Sequence, residues 1–319
     1  MIICTIFTIN TMNAQQVKDT VEQLKEVVIT ATKFATEKEK VGKIIYQISP
    51  TQIENSKGKS VAEVLSNFAG IEINGVNSSA SKNKSVYIRG GRDRQVLVLI
   101  NGIPVSDPSG ITTTYDLRLL TLNQVASIEI MNGAASTLYG SGAATGVINI
   151  ILKKSSSKPI SLNYQTVTGT NNSSEDTKLN FPNFQQNVSV NGTLKKFNYL
   201  ATLNTSLNNG LSEASSENSA TSFEKDKFLT TNSYVNFGYA VASNFKVSLF
   251  GNYDKDTYDY DAGAFTDSKI NNGVNKQIRI GIFSNFDYKN GTLKTIVSYN
   301  KMDRMFDSFN SWTNNTDHY

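Results

Sequence analysis

The residue types that carry most enzyme chemistry are almost missing from this 319-residue sequence. It contains one histidine, His318, and one cysteine, Cys4, and each lies near a terminus. A disulfide framework, a Cys/His zinc cluster, a Cys/His nucleophilic pair and a Ser-His-Asp triad all need more of these side chains. Carboxylates could still act as acids and bases, but no clear pair for that chemistry stands out. We therefore expect a protein that is not an enzyme.

The densest group of chemically active side chains is acidic and lies in residues 252–269, NYDKDTYDYDAGAFTDSK. Carboxylates alternate with other residues there, and calcium is a hard cation that takes roughly six to eight oxygen ligands. The spacing predicts a structural calcium site in one long external connection, and a solvated acidic loop without an ion is the alternative. The predicted ligands are Asp254, Asp256, Asp259 and Asp261.

The segment that precedes residue 155 predicts a compact domain of helices and strands over residues 40–154. Ser60-Val61-Ala62-Glu63 is a capping box in front of an apolar helical run. Short β-prone runs alternate with the helical signals, which indicates an α+β domain of ordinary size. The predicted strands lie at 71–73, 86–91, 96–102, 128–133 and 146–152, and short helices at 116–120 and 134–139.

Residues 158–319 have a different pattern, in which apolar and polar residues alternate with period two. Ile278, Ile280 and Ile282 share one face of a predicted strand, and Arg279 and Gly281 share the other. About seven such strands are predicted, joined by long and short connections in strict alternation, as in outer-membrane β-barrels. A soluble β-sandwich is the alternative, but it has no reason to alternate its loops. Because bacterial barrels close with an even strand number, we expect the chain to hold only the N-terminal part of one.

Composition supports neither a helical membrane protein nor a nucleic-acid-binding protein. The mean hydropathy is -0.30 and the net charge is +4. No stretch reaches the ~20 apolar residues that a spanning helix needs, and so small a charge does not favour a phosphate backbone.

Two short segments precede the α+β domain. Residues 1–14 have an apolar core and end in Met12-Asn13-Ala14, which resembles a cleavage site, although no basic residues come first. We interpret them as a partial export signal, and a buried strand is the alternative. Residues 24–33, LKEVVITATK, form a strand-like run with no hairpin partner nearby.

Several runs of this sequence resemble the plug domain of TonB-dependent outer-membrane receptors. They are VLVLINGIPVSDP (96–108), IEIMNGAASTLYGSGAATGVINIILKK (128–154), SVAEVLSNFAGIEI (60–73) and VYIRGG (86–91). The resemblance implies a plug followed by an antiparallel transmembrane β-barrel, which has 22 strands in this family. It also implies an outer-membrane location in a Gram-negative bacterium, in contact with lipid, with the plug and the N-terminus facing the periplasm.

Residues 24–33 then resemble the TonB box, the peptide through which these receptors pair with TonB of the TonB–ExbB–ExbD complex. Pairing would add a strand to TonB through main-chain hydrogen bonds. An edge strand of the plug is the alternative. The predicted TonB-binding residues are Glu26, Val27, Val28, Ile29, Thr30 and Ala31.

The resemblance implies import of a scarce ligand that is too large for porins, bound at the outer loops of the plug. The acidic stretch 252–269 is similar to calcium-binding external loops of cobalamin receptors, so cobalamin is the favoured ligand. A ferric siderophore or haem remains the alternative, and a secreted β-sandwich binding protein is the alternative of another class. The predicted ligand-binding residues at the plug apices are Asn77, Ser78, Ser79, Ser81, Ser106, Asp107, Ser109 and Tyr115.

Overall fold

The computed structural model describes residues 27–28, 30, 32–110, 112–170, 180–216, 223–310 and 315–319. An α+β domain comes first and an antiparallel sheet of eight described strands follows. In the first part the elements are β1 (Val27–Val28), β2 (Thr36–Glu37), β3 (Ile45–Ile48), α1 (Pro50–Glu54), α2 (Val61–Leu65), β4 (Ile71–Ile73), β5 (Val86–Ile88), β6 (Val96–Ile100), β7 (Ile103–Val105), β8 (Val125–Asn132), α3 (Ser136–Tyr139) and β9 (Gly146–Leu152). In the second part they are β10 (Ser161–Gly169), β11 (Asn183–Leu194), β12 (Phe197–Asn208), β13 (Phe228–Ala242), β14 (Phe245–Asp259), β15 (Asn272–Tyr288), β16 (Gly291–Asn310) and β17 (Asn315–His318).

Local signals fix the helices of the first domain. The predicted capping box is confirmed, because the Ser60 hydroxyl accepts from the Glu63 N–H at 3.2 Å and the Glu63 carboxylate accepts from the Ser60 N–H at 2.6 Å. Ser49 and Gln52 form a second capping box at the start of α1. The predicted helix near 116–120 is a 3₁₀ turn, Leu117–Leu119.

A five-stranded sheet in the order β3-β8-β9-β6-β7 forms the centre of this domain. Strands β6 and β9 are parallel, and the other pairs are antiparallel. Asn101 and Gly102 join β6 to β7 with φ of 52° and 80°, as a two-residue hairpin turn of type I′ requires. The Asn101 side chain accepts from the Leu152 N–H at 2.9 Å and so ties this turn to β9.

The two faces of the five-stranded sheet are covered by different parts of the chain. One face, with Ile128, Ile130 and Ile148, belongs to the large core that includes α1, α2 and residues of the second sheet. The opposite face, with Leu99 and Met131, belongs to a smaller core that includes Val28 of the N-terminal segment.

The second sheet is an antiparallel meander in which each strand pairs with the next. Turns of two residues join β11 to β12, β13 to β14 and β15 to β16, whereas the connections at 170–182, 209–227 and 260–271 are long. The predicted alternation of connections is confirmed from β10 to β16, but only four residues separate β16 from β17, where a long connection was expected. The structure adds β17 to the seven strands that the sequence predicts.

This sheet is polar on its covered face and apolar on its open face. The side chains of Asn232, Asn275 and Gln277 are buried towards the α+β domain. Leu249 is 52% exposed and Ile280 is 50% exposed. A soluble sandwich buries its apolar face, so the arrangement is that of a transmembrane β-barrel wall. We call this sheet the wall.

No helix in the part of the chain that the structure describes is long and apolar enough to cross a membrane.

The α+β domain and the wall meet through apolar contacts, hydrogen bonds between neutral groups, and ion pairs such as Asp107–Arg304. Tyr234 and Phe250 of the wall belong to the large core of the first domain. The Asn123 amide donates to Asn204 Oδ1 at 2.9 Å, and the Asn232 amide donates to the carbonyl of Leu119 at 2.9 Å. Wall amides thus form hydrogen bonds directly with the first domain.

Candidate functional site

The N-terminal segment has a partner within its own chain. Strand β1 pairs with β2 in an antiparallel register that places Val28 opposite Thr36. The Val28 side chain is completely buried in the smaller core. Strands β1 and β2 form a two-stranded sheet of their own, which is packed on the domain through Val28 and is not part of its five-stranded sheet. Of the predicted TonB-binding residues, Val27, Val28 and Thr30 are described, and Glu26, Ile29 and Ala31 lie outside the described residues.

Thr30 is held by a buried carboxylate. Its N–H and its hydroxyl both donate to Oε2 of Glu129, at 2.8 Å and 2.5 Å. Its carbonyl accepts from the Tyr139 hydroxyl at 2.8 Å. Burial and the nearby Glu129 charge raise the pKa of Tyr139 to about 12, so this hydroxyl remains a donor at neutral pH. The segment is docked by backbone as well as side-chain bonds.

The first predicted apex, residues 75–82, is built around a lysine. The Lys84 ammonium donates to the carbonyls of Gly75 and Ser79, the latter at 2.9 Å. Burial and the nearby Arg118 lower the pKa of Lys84 to about 8. Ser79 and Ser81 are buried and bonded to each other at 2.7 Å. The other two predicted residues of this apex reach the surface, because Asn77 is exposed and Ser78 is half-buried.

The second predicted apex, residues 106–115, is tied to the wall. Asp107 is buried and accepts from the Ser109 N–H at 3.0 Å and from Arg304 of β16 at 2.5 Å. Tyr115 is buried, and its hydroxyl donates to Gln277 of β15 at 3.4 Å. Burial raises the pKa of Tyr115 above its ordinary value. Ser106 and Ser109 are the exposed members of this predicted set.

Arg118 joins the two apices. Its guanidinium donates hydrogen bonds to the Asp116 carboxylate, with Nη2 2.7 Å from Oδ2. Its Nη1 donates to the carbonyl of Ser81. The plane of the guanidinium lies over the ring of Tyr258, 4.6 Å from the centroid. Burial alone would raise the pKa of Asp116, but the Arg118 charge and hydrogen bonds outweigh it and lower that pKa. Four of the eight predicted apex residues are thus buried in a tied framework.

The four predicted calcium ligands lie in two different places. Strand β14 continues to Asp259, so the prediction of a loop starting near residue 252 was wrong. Alternation along that strand turns Asp254 and Asp256 into the covered face, where both are buried. The Asp259 carboxylate accepts from the Lys227 N–H at 3.3 Å. The Asp261 carboxylate accepts from the Ala214 N–H, in the connection 209–227, at 2.6 Å.

A different acidic group forms at the end of the wall. Carboxylate oxygens of Glu224, Asp261 and Asp267 lie within 4.8 Å of one another. Burial raises the pKa of the neighbouring Asp226 to about 7. Sequence spacing could not have indicated Glu224, because it comes from the preceding long connection.

A cavity of about 490 Å³ separates the first apex from β10–β13 of the wall. Its size is that of a small-molecule site, which spans roughly 300–1,000 Å³. The lining combines plug residues such as Asn77, Ser78 and Lys84 with wall residues such as Ser206 and Asn208.

Comparison with known proteins agrees with this geometry. Residues 37–147 match the family model of the TonB-dependent receptor plug domain. Residues 37–147 are therefore a plug domain of the TonB-dependent receptor type. The α+β domain contains this plug, and the wall corresponds in fold to barrel strands.

The relatives in this family differ in ligand. The vitamin B12 transporter BtuB of Photobacterium profundum is 33% identical over 125 residues, which are 39% of this chain and 20% of that protein. BtuB of Vibrio vulnificus is 32% identical over 131 residues, 41% of this chain and 21% of that protein. The matched region thus spans about a fifth of the length of these curated relatives.

Solved receptors share the fold at low identity. The ferric enterobactin receptor PfeA of Pseudomonas aeruginosa, solved with enterobactin, has a TM-score of 0.65 at 15% identity, over 86% of this chain and 44% of that one. The siderophore receptor PirA of Acinetobacter baumannii has a TM-score of 0.64 at 18% identity, over 82% of this chain and 40% of that one.

Sequence reasoning missed the charged residues that hold the plug together. These residues are Glu129, Lys84 and Arg118. Apart from the bond between Arg118 and Asp116, each binds groups that are at least five residues away in the chain. One signal was present, because Glu129 is the single charge in the otherwise apolar and neutral strand VASIEIMN. A buried charge needs a partner, so such a residue is a candidate for a structural bond.

Proposed function

We propose that this receptor imports a scarce, large ligand across the outer membrane of a Gram-negative bacterium, with energy supplied through TonB. The observation that carries the proposal is the plug packed on the polar face of a sheet whose other face is apolar. A wall of this kind suits lipid on one side and a plugged, polar interior on the other.

The long connections suit the outside of the cell and the two-residue turns suit the periplasm. Both plug apices contact the end of the wall that carries the long connections. Lys82 bonds Glu213 in the connection 209–227, and Asp107 bonds Arg304 in the distal half of β16. Ligand would then arrive at the exposed residues Asn77, Ser106 and Ser109.

The TonB complex, with ExbB and ExbD, is the proposed partner of the N-terminal segment. Strand addition needs free main-chain groups. The N–H and carbonyl of Thr30 are both occupied by Glu129 and Tyr139. Partner binding therefore requires that Thr30 first leaves the plug.

Cobalamin is the first proposed ligand, because BtuB of Photobacterium profundum is 33% identical over the matched residues. A ferric siderophore is the second, with haem as a further alternative. The fold likeness to PfeA and PirA does not decide between them, since identities of 15% and 18% speak for the fold alone. A β-sandwich binding protein is not favoured, since the buried face of the wall is polar.

Uptake of radiolabelled cyanocobalamin tests the proposal. The gene is expressed in a Gram-negative strain that lacks its own cobalamin receptor, with and without TonB. We expect uptake only when both proteins are present. Uptake of ferric enterobactin in the matching siderophore-receptor mutant would instead favour the second ligand. Failure with both ligands and with haem would contradict the proposed import.

Structural calcium stays a prediction. Among the described residues, Glu224, Asp261 and Asp267 have carboxylate oxygens close enough together to share an ion, whereas Asp254 and Asp256 face the plug. Asp261 belongs both to this group and to the predicted set, which makes it the residue to test.

A further inference from the structure

The cavity between the first apex and the wall is more basic than acidic. Lys59, Lys84 and Arg118 line it together with one carboxylate, Glu63. Glu63 already accepts from the Ser60 N–H at the start of α2. Arg118 is neutralised by Asp116, which leaves Lys84 as the buried cation of this space.

Lys84 has a donor to spare. An ammonium group carries three N–H bonds. Two of them point to the carbonyls of Gly75 and Ser79. Within the described part of the chain, no carboxylate lies within ion-pair distance of Lys84 and no third acceptor contacts it. A buried charge of this kind is costly unless an opposite charge balances it.

The opposite side of the cavity supplies neutral hydrogen-bonding groups. Ser206 and Asn208 of β12 line it, and both follow the inward-facing positions Thr202 and Asn204 along the strand. Hydroxyl and amide groups donate to oxyanions and also bind ligand hydroxyl groups. A small anion that carries hydroxyl groups would therefore find a charge on the plug side and neutral donors on the wall side.

We infer that this cavity is an anion-binding site, which takes a carboxylate or phosphate group through the free N–H of Lys84. The anion closes the space between plug and wall and bonds Ser206 or Asn208 opposite. The site does not depend on import: a free anion and an anionic group of the imported ligand would bind by the same contacts.

Isothermal titration calorimetry of the detergent-solubilised protein with inorganic phosphate and with citrate tests the inference. We expect saturable binding of at least one anion. Lys84→Met should weaken it by about tenfold or more, because a hydrogen bond to a charged group contributes roughly 1.5–3 kcal/mol. Ser206→Leu keeps every charge but fills the cavity, and it should weaken binding to a similar extent. Lys82→Gln removes a charge from the same loop outside the lining and should leave binding within about twofold.

The possible results of these titrations either overturn or support the anion-binding site. No saturable binding of either anion to the wild-type protein overturns the inference, as does wild-type affinity in both Lys84→Met and Ser206→Leu. Competition between phosphate and cyanocobalamin would assign the site to an anionic group of the imported ligand, and independent binding would assign it to a free anion; either supports the site. Lost uptake with intact anion binding contradicts the proposed import alone.

Discussion

The N–H of Thr30 donates to the carboxylate of Glu129 at 2.8 Å, across 99 residues of sequence. The same oxygen accepts from the Thr30 hydroxyl, so one buried carboxylate holds both the backbone and the side chain of the N-terminal segment. The segment that resembles a TonB box is thus docked on the plug, and its release requires that the hydrogen bonds between Thr30 and Glu129 break.

Replacing Glu129 by glutamine should weaken the docking of the N-terminal segment on the plug. The variant keeps the shape but loses the charge, and a hydrogen bond to a charged group contributes roughly 1.5–3 kcal/mol. We expect the Thr30 amide to exchange its hydrogen about tenfold faster or more, as measured by hydrogen exchange. Glu39→Gln, at an exposed site of the same segment, is the control. Unchanged exchange in Glu129→Gln would show that the carboxylate does not hold the segment.

Replacing Val28 by proline should abolish TonB-dependent uptake and spare ligand binding. Proline removes the N–H that an added strand needs and fixes the backbone at that position. Val28→Thr keeps the N–H and the branched shape, so it serves as the control for strand addition. The measurements are uptake, ligand affinity on whole cells, and binding of the isolated TonB C-terminal domain. Normal uptake by the proline variant would refute the assignment of the TonB box.

Replacing Asp116 by asparagine should destabilise the plug. Arg118 would remain buried without its counter-charge, and breaking one side of a buried pair costs about 3–5 kcal/mol. We expect a lower thermal midpoint for unfolding, measured by calorimetry. Glu72→Gln, on the exposed side of β4, should leave the midpoint unchanged. Equal midpoints for the wild type and Asp116→Asn would mean that the pair contributes nothing net.

The same pair gives a pH dependence with a definite sign. The pKa of Asp116 is lowered in the folded protein, so the folded state favours the charged carboxylate. Its stabilising effect is fully present above the unfolded pKa of about 3.9 and is lost as the pH falls through the lower folded value. The difference in unfolding free energy between the wild type and Asp116→Asn should therefore be constant from neutral pH to about 4 and shrink below it. A difference that instead shrank between pH 7 and 5 would exclude Asp116 as its source.

Calcium should raise the thermal midpoint if Asp261 belongs to a calcium site. A ligand at a hundred times its dissociation constant stabilises the folded state by about 2.7 kcal/mol. Asp261→Asn should remove the response, and Asp254→Asn should keep it, because Asp254 faces the plug and lies apart from Glu224 and Asp267. A flat response of the wild type to calcium would refute the prediction.

Local chemistry made much of the fold predictable. The Ser60–Glu63 capping box and the period-two alternation around Ile280 and Ile282 act over a few residues, and both appear in the structure as expected. The order of long and short connections could be predicted from the positions at which the strands begin and end. The two domains could therefore be assigned from sequence.

The candidate sites were less predictable because distant residues build them. Asp254 and Asp256 look like loop ligands in sequence, yet a polar residue at every second position is also what the covered face of a barrel wall contains. Ser81 and Asp107 look like exposed apex residues, but both are buried, and Arg118 and Arg304 bond to them. Whether a small polar side chain is buried depends on contacts with residues that are distant in the sequence. The spacing of residues along the chain does not show those contacts.

The position of Glu129 also sets an order of assembly. The segment around Thr30 is synthesised before the rest of the plug, but its acceptor lies 99 residues later, on strand β8 between β3 and β9. Joining two points so far apart in an unstructured chain costs about 4 kcal/mol of loop entropy from length alone. The bonds of Thr30 cannot offset that cost until β8 has paired with β3 and β9 and the intervening chain is already ordered. We therefore expect this segment, although it is made before the rest of the plug, to dock on the plug late in folding.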